Sequence, residues 1–285
     1  MHVIIIGSGP AGVSAALYAR RGGADVTVIS KGGGGLARAE RVENYYGFDE
    51  PVTGAELERR GIAGAKRLGV VFETDEVMAV VPTDGGGFCI EGVQKNYAGN
   101  AVILAAGAPR RTISVSGLRE FTGRGVSSCA ICDAFFYRGK KVAVIGAGDY
   151  ALHEAEILRP HAAQVSILTH GAEISAVFPN DVVHTGKIAR IEGDRRVQRI
   201  VFADESQMDA DGVFLAVGTP GSSELARKLG VLLDDGKVAV GAQMETNVPG
   251  IYAAGDCTGG LLQVAKAVYE GAVAGLAVVE SLRQQ

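Results

Sequence analysis

The sequence predicts an α/β fold in which parallel strands alternate with helices. Two segments indicate it, one at residues 3–6 and one at residues 141–144, and each leads through a glycine-rich turn into a segment with helical spacing. Largely apolar runs bounded by glycine are typical of parallel strands covered on both faces. A length of 285 residues exceeds one typical domain, so we expect two domains.

The first glycine turn, residues 7–12, has the pattern G-x-G-x-x-G between a strand and a helix, which is the context that this motif requires. Glycine at the first position permits a tight turn, at the second it lets the backbone approach a pyrophosphate, and at the third it lets helix pack on strand. The N-terminus of the helix offers N–H groups and a partial positive charge to the phosphates. We therefore predict dinucleotide binding at Gly7, Gly9, Pro10, Ala11 and Gly12.

The strand after this helix, residues 26–29, ends in Ser30 and Lys31. It lacks the acidic residue that commonly binds the ribose hydroxyls of a dinucleotide. Further elements follow in chain order: a glycine-rich stretch at 32–35, a helix at 56–68, strands at 70–72 and 76–81, a turn at 84–87 and a strand at 101–107.

The second glycine turn, residues 146–151, has the same context, with alanine in place of the third glycine. A domain that uses NADPH normally places arginines just beyond the next strand, where they pair with the extra phosphate. Here the strand at 165–168 is followed by six residues without arginine, among which His170 is a poor substitute and Glu173 is unfavourable near a phosphate. The pattern therefore disfavours NAD(P)H as a ligand of this turn.

Together these units predict two Rossmann-like, three-layer nucleotide-binding domains. A helix at 151–158, strands at 213–217 and 251–254, and a helix from about 263 to 282 complete the pattern. We expect a discontinuous first domain at 1–111 and 240–285, a hinge at 109–111, and an inserted second domain at 112–239.

The composition argues against several classes of protein. Hydrophobic residues make up 47% and charged residues 21% of the chain, as in ordinary globular proteins, and a net charge of −4 provides no basic surface for nucleic acid. The apolar stretch at 261–279 contains Lys266 and Glu270, which argues against a membrane span. The start lacks the basic region of a signal peptide, and four cysteines are too few for a secreted disulfide framework. We expect a cytoplasmic protein.

The pair Cys129-x-x-Cys132 lies just before the second strand–turn–helix unit. It allows three interpretations: half of a zinc site, two inert buried thiols, or a dithiol that opens and closes. Zinc is disfavoured because Cys89 and Cys257 stand alone and provide no second pair, so we predict no metal. The dithiol is favoured because this spacing lowers a thiol pKa and permits a small reducible ring.

Two aspartates accompany these motifs. Asp133 follows the dithiol and can shuttle the proton that joins or leaves the thiols, although a plain surface aspartate is the alternative. Asp256 follows a late apolar strand and can accept a hydrogen bond from a ribityl hydroxyl, with simple helix capping as the alternative. The helix near Gln263 can direct its N-terminus at a flavin oxygen.

Four segments resemble the low-molecular-weight thioredoxin reductases: residues 42–45, 125–133, 136–142 and 251–256, which read VENY, GVSSCAICD, FYRGKKV and IYAAGD. The resemblance spans nearly the whole chain. It implies FAD in the discontinuous domain, a redox-active dithiol in the inserted domain, and a homodimer.

The same resemblance implies roles for individual residues. Cys132 would face the flavin, Cys129 would attack the disulfide of the partner protein, and Asp133 would handle protons. The flavin-binding residues that it implies are Asn44, Ala106, Gly107, Gly255, Asp256, Gln263 and Val264.

The chain also departs from that family. The arginine-bearing NADPH motif is missing, the Gly-Gly-Gln loop reads GGG at 33–35, the Ala-Thr-Gly turn reads AAG at 105–107, and the Arg-Gln pair before the last helix reads LQ at 262–263. These departures bring the chain closer to thioredoxin-reductase-like flavoenzymes that do not depend on pyridine nucleotide, including those reduced by ferredoxin.

We therefore expect an FAD-dependent thioredoxin-disulfide reductase, in which Cys129 and Cys132 pass electrons to thioredoxin or a thioredoxin-like protein. Ferredoxin is the favoured electron donor, and an NAD(P)H-dependent thioredoxin reductase is the alternative. Two other interpretations stay open: a flavin redox sensor that does not turn over, and a reductase of a dedicated glutaredoxin-like or peroxidase partner.

Overall fold

The computed structural model describes residues 1–107, 113–179 and 181–284. It confirms the predicted α/β fold with parallel sheets. The chain divides into two compact units: unit 1 comprises Met1–Arg110 and Gly221–Gln285, and unit 2 comprises Arg111–Pro220. The predicted hinge at 109–111 lies outside the described residues.

The helices of the two units are α1 (Pro10–Arg21), α2 (Gly54–Arg67), α3 (Ala130–Asp133), α4 (Asp149–Leu158), α5 (Ser222–Lys228) and α6 (Val264–Arg283). The strands are β1 (His2–Ile6), β2 (Asp25–Ser30), β3 (Val71–Thr74), β4 (Val77–Pro82), β5 (Phe88–Gly92), β6 (Asn96–Gly99), β7 (Ala101–Leu104), β8 (Val126–Ser127), β9 (Lys141–Ile145), β10 (Gln164–Leu168), β11 (Val182–His184), β12 (Ile188–Gly193), β13 (Val197–Phe202), β14 (Gln207–Asp209), β15 (Gly212–Leu215), β16 (Leu233–Asp234), β17 (Lys237–Val238) and β18 (Ile251–Ala253).

Unit 1 is built on a parallel sheet with the strand order β18-β7-β1-β2-β3. Successive residues of β1 point to opposite faces, so Ile5 packs under α1 and α6 while Ile4 packs toward the antiparallel sheet β4-β5-β6 and α5. Both isoleucines are fully buried. This arrangement gives three layers and explains why β1 reads as a continuous apolar run.

The second boundary of unit 1 differs from the predicted one. Chain from Gly221 onward belongs to unit 1, whereas the sequence placed the return at residue 240. The reason is packing: Leu225 and Ala226 of α5, and Val231 after it, are buried in the same cluster as Ile4. Short segments such as β16 and β17 carry too little periodicity to reveal that membership in advance.

Unit 2 has a parallel sheet with the strand order β11-β10-β9-β15-β8. Helix α4 connects β9 to β10, and the antiparallel sheet β12-β13-β14 packs on the same unit through buried residues such as Ile191 and Ile200. The second glycine turn therefore follows a central strand of its sheet, as the first does in unit 1. No helix in the described ranges is long and apolar enough to cross a membrane.

Candidate active site

The first glycine turn leaves open space where a phosphate would approach. Gly7 has a φ of +113°, and a Cβ added there or at Gly12 would overlap backbone atoms, so packing demands glycine at both positions. A Cβ added at Gly9 would meet no described atom within 4 Å. Gly9 caps α1, and Pro10 is its first residue. The turn thus presents backbone and a helix N-terminus to open space, which suits a pyrophosphate.

The other residues predicted to bind the cofactor lie at the same edge of the sheet. In the register of the strands, Ile6, Leu104 and Ala253 are neighbours, so the segments that follow β1, β7 and β18 leave the sheet together. Ala106 and Gly107 follow β7, and Gly255 and Asp256 follow β18. This is the edge at which ligands bind in open α/β sheets.

A hydrogen bond joins the start of α6 to Asn44. The Asn44 side-chain amide donates to Oε1 of Gln263 (3.0 Å), which caps α6 ahead of its first residue, Val264. Asp256 does not cap α6, and its carboxylate has no hydrogen-bond partner among the described residues, so it is available to a ligand hydroxyl.

Two charged residues that the sequence analysis missed hold the loop after β18. The Lys266 ammonium donates to the carbonyl oxygens of Gly255 (2.8 Å) and Gly259 (2.6 Å) and pairs with Glu270 (2.9 Å). Glu270 also accepts from the Gly255 N–H (2.8 Å). The two residues had signalled only that α6 does not span a membrane, although charges inside an apolar helix also indicate a buried polar contact.

The end of β2 carries hydroxyls where many dinucleotide sites carry a carboxylate. Ser8 Oγ donates to Ser30 Oγ (2.8 Å), and the Gly32 N–H also contacts Ser30 Oγ (3.1 Å). The next residue, Lys31, forms an ion pair with Glu76, whose side chain is buried. The acidic residue that is missing at the end of β2 is thus replaced by Ser30, whose hydroxyl contacts Ser8 and Gly32.

The second glycine turn differs from the first because a segment of unit 2 covers it. The Ser175 N–H donates to the carbonyl oxygen of Ala147 (2.8 Å), and a Cβ added at Gly148 would lie 2.9 Å from Ser175 Oγ. Gly148 corresponds in the motif to Gly9, beside which the space is open. The position through which a pyrophosphate would approach is therefore occupied by Ser175, which the sequence analysis did not single out.

Cys129 and Cys132 form a disulfide, and their Cα atoms are 5.4 Å apart. Cys129 caps the short helix α3 and is 1% exposed, whereas Cys132 is exposed. The Cys132 N–H points at Cys129 Sγ (3.2 Å), and Ser127 Oγ accepts from the Cys129 N–H (3.1 Å). A backbone donor aimed at Cys129 Sγ stabilises negative charge on that sulfur when the disulfide is open.

Asp133 is the last residue of α3 and is partly buried. Burial, followed by the nearby Asp133 carboxylate, raises the pKa of Tyr137. Asp133 therefore follows the dithiol directly in the chain and lies close enough to Tyr137 for its charge to act on that hydroxyl.

The remaining cysteines stand apart from this pair. Cys257 is fully buried, and burial raises its pKa to about 11, so it stays a thiol and behaves as a small apolar residue. Cys89 is a free, partly buried residue of β5. Within the part of the chain that the structure describes, no three acidic, histidine or cysteine side chains come together as a metal site would require.

Comparison with known proteins relates the whole chain to one group. A family model described as pyridine nucleotide-disulphide oxidoreductase matches residues 1–271. The thioredoxin reductase of Bacillus subtilis strain 168 is 35% identical over 309 residues, which cover 99% of this chain and 96% of the relative. That of Listeria monocytogenes is also 35% identical, over 96% of this chain and 91% of the relative.

Two solved structures are similar over the full length. The atypical thioredoxin reductase TRi from Desulfovibrio vulgaris Hildenborough has a TM-score of 0.94 and 38% identity, covering 99% of this chain and 98% of that one. A ferredoxin-flavin thioredoxin reductase from Clostridium acetobutylicum has a TM-score of 0.75 and 33% identity, covering 100% and 98%.

Proposed function

The chain belongs to the pyridine nucleotide-disulphide oxidoreductase family, in which its relatives are thioredoxin reductases, and on that premise we propose that it is an FAD-dependent reductase of thioredoxin or a thioredoxin-like protein. One observation carries the proposal: the Cys129–Cys132 disulfide lies at the start of a short helix with a backbone donor on Cys129 Sγ. A ring of this size opens and closes by thiol–disulfide exchange.

The residues of the site divide the exchange between them. With the ring open, Cys129 Sγ attacks one sulfur of the partner's disulfide, forms a mixed disulfide, and releases the other partner sulfur, which takes a proton. Cys132 Sγ then attacks Cys129 Sγ, re-forms the ring and releases the second partner sulfur, which takes the proton lost by Cys132. Asp133 is the neighbouring group that accepts and returns these protons. One partner disulfide is reduced for each ring that closes.

The cofactor site in unit 1 fits FAD. The space beside Gly9 is open and could hold a pyrophosphate, and the Asp256 carboxylate could accept a hydrogen bond from a cofactor hydroxyl. The hydrogen bond between Asn44 and Gln263 holds the start of α6, whose N-terminus could interact with a flavin oxygen. FAD bound there would supply the two electrons that, with two protons, convert the disulfide to a dithiol. These residues would bind and orient the cofactor at the carboxyl edge of the sheet.

We further propose that the electron donor is ferredoxin rather than NAD(P)H. Two features of unit 2 support this: Ser175 occupies the approach to Gly148, and the six residues after β10 contain no arginine for a nucleotide phosphate. The similar Clostridium protein is named for ferredoxin as well as flavin. The homodimer that the resemblance implies and the cytoplasmic location expected from the sequence stay predictions.

Anaerobic mixing of the FAD-loaded protein with each candidate donor tests the donor proposal. We expect reduced ferredoxin to bleach the flavin absorbance rapidly, and NADPH and NADH to leave it unchanged over the same time. Rapid, stoichiometric bleaching by NADPH would contradict the proposed donor and leave the thiol chemistry intact. Failure of all three donors would reject ferredoxin as well.

A further inference from the structure

A buried carboxylate from α4 contacts the dithiol segment. Glu154 is 1% exposed, and its Oε2 accepts a hydrogen bond from the backbone N–H of Ala130 (2.7 Å), the residue directly after Cys129. Burying a carboxylate is unfavourable unless hydrogen bonds compensate it. A glutamate therefore occupies an inward position of α4 where the helical period calls for an apolar side chain, as at Ala151, Ala155 and Leu158.

This contact fixes the backbone of Cys129. The peptide unit between Cys129 and Ala130 is planar, so the direction of the Ala130 N–H sets ψ at Cys129. With that N–H held by Glu154, and the Cys129 N–H held by Ser127, both peptide units that flank Cys129 are anchored. Cys129 Sγ is thereby kept over the Cys132 N–H, where the second sulfur can reach it.

A second contact from the same face of α4 reinforces the first. Tyr150 lies four residues before Glu154, is 2% exposed, and directs its hydroxyl at the carbonyl oxygen of Ser128 (3.5 Å). Helix α4 thus holds residues 128–130 at two points.

We propose that Glu154 is a positioning residue for the dithiol. By holding Ala130 it keeps the two sulfurs within reach after the disulfide opens, and so favours closure of the ring when Cys132 displaces the partner from Cys129. The inference rests on the redox role proposed above for this pair. What favours closure of the ring, in this proposal, is the position of the Glu154 acceptor oxygen and not the negative charge of the side chain.

Equilibration with mixtures of reduced and oxidised glutathione measures the closure directly. Oxidised glutathione takes two electrons and two protons from the dithiol and leaves as two thiols, and alkylation with mass spectrometry counts the open rings. Glu154→Gln keeps an acceptor in place without charge, and we expect its equilibrium constant to stay within about threefold of wild type. Glu154→Asp keeps the charge but shortens the reach, and we expect a shift of about tenfold or more toward the dithiol.

Glu156→Gln is the matched control, because Glu156 lies on the same helix, is exposed and should not affect the ring. A second measurement separates positioning from stability: during turnover with thioredoxin, Glu154→Asp should accumulate the mixed disulfide, which a loss of fold stability alone would not produce. An Asp variant that behaves as wild type, or a Gln variant as impaired as Asp, would overturn the proposal. The glutathione equilibrium needs neither donor nor thioredoxin, so a failure of this proposal can be distinguished from a failure of the proposed function.

Discussion

At the scale of single residues, the two cysteines differ in exposure. Cys132 is exposed to solvent in this structure, whereas Cys129, whose sulfur is expected to attack the partner, is only 1% exposed. Exchange with a partner disulfide needs direct access to the attacking sulfur. Cys129 must therefore become uncovered before it reacts, while Cys132 is the sulfur already accessible to an electron source.

Single replacements of the cysteines test this division of roles. We expect Cys132→Ser, reduced and then mixed with oxidised thioredoxin, to trap a mixed disulfide through Cys129, because no second thiol remains to release the partner. Cys129→Ser should trap none, and its turnover should fall to the background rate with the flavin still bound. Mass spectrometry of the unreduced mixtures reads both results. Trapping by Cys129→Ser alone would reverse the assignment.

At the scale of elements, α1 and α6 approach closely because two glycines of α6 face α1. A Cβ added at Gly271 would overlap the carbonyl oxygen of Ala11, and one at Gly275 would lie against the backbone of Ala15. Helix α1 begins at the turn that fits the pyrophosphate, so a forced separation of the two helices also displaces that turn.

We expect Gly271→Val to lower the free energy of unfolding by about 3 kcal/mol or more, because the added side chain overpacks a rigid backbone contact. FAD affinity should fall with it. Denaturant unfolding and FAD titration of the apoprotein measure the two effects. Gly64→Ala on α2 is the control, since a Cβ there would meet no described atom within 4 Å apart from its chain neighbours and the backbone of its own helix, and it should be neutral or slightly stabilising. An unchanged Gly271→Val would contradict the close packing.

Asp75 joins the end of β3 to the turn between β5 and β6. Burial opposes the ionisation of Asp75, but four hydrogen bonds together lower its pKa; they come from the Tyr97 hydroxyl and from the backbone N–H groups of Glu76, Gln94 and Lys95. A lowered folded-state pKa contributes stability above the unfolded value near 4, and that stability is lost as the pH falls through the folded value.

Asp75→Asn should therefore reduce the free energy of unfolding by about 1–3 kcal/mol at pH 7. The asparagine side chain keeps one acceptor oxygen but replaces the other with an amide NH₂ group, which cannot accept the hydrogen bonds that Asp75 receives. The difference from wild type should shrink as the pH falls below about 4. Urea unfolding at a series of pH values measures it. A difference that stays constant down to the lowest pH would show that the Asp75 charge does not contribute.

Elements with a continuous apolar or helical pattern could be predicted from sequence, and strands with an irregular pattern could not. Helix α1 and strands β1, β2 and β9 have continuous patterns, and the structure places them within a few residues of the prediction. Strands β12 to β14 were not predicted, because their stability comes from pairing with each other and not from local pattern. Ser175 and Glu154 were not identified from the sequence for a similar reason. Ser175 matters through its contact with Gly148, 27 residues away, and Glu154 through its contact with Ala130, 24 residues away.

At the scale of the whole molecule, the two glycine turns differ in how much space they leave for a nucleotide. The turn of unit 1 is open beside Gly9, and the turn of unit 2 is covered beside Gly148. The sequence indicated this only through the missing arginines after β10. One fold unit therefore keeps the features of a cofactor site, while the other carries the dithiol and uses its turn helix, α4, to hold it.

The central claim is that electrons reach a thioredoxin disulfide through Cys129 and Cys132, and a single-turnover experiment without any natural donor tests it most directly. The FAD-loaded protein is photoreduced anaerobically and mixed with oxidised thioredoxin, and the thiols formed on thioredoxin are counted by alkylation. We predict two new thiols for every two electrons that the protein has taken up, and none with Cys129→Ser. Thioredoxin that stays oxidised, or thiols that form equally well with Cys129→Ser, would contradict the account.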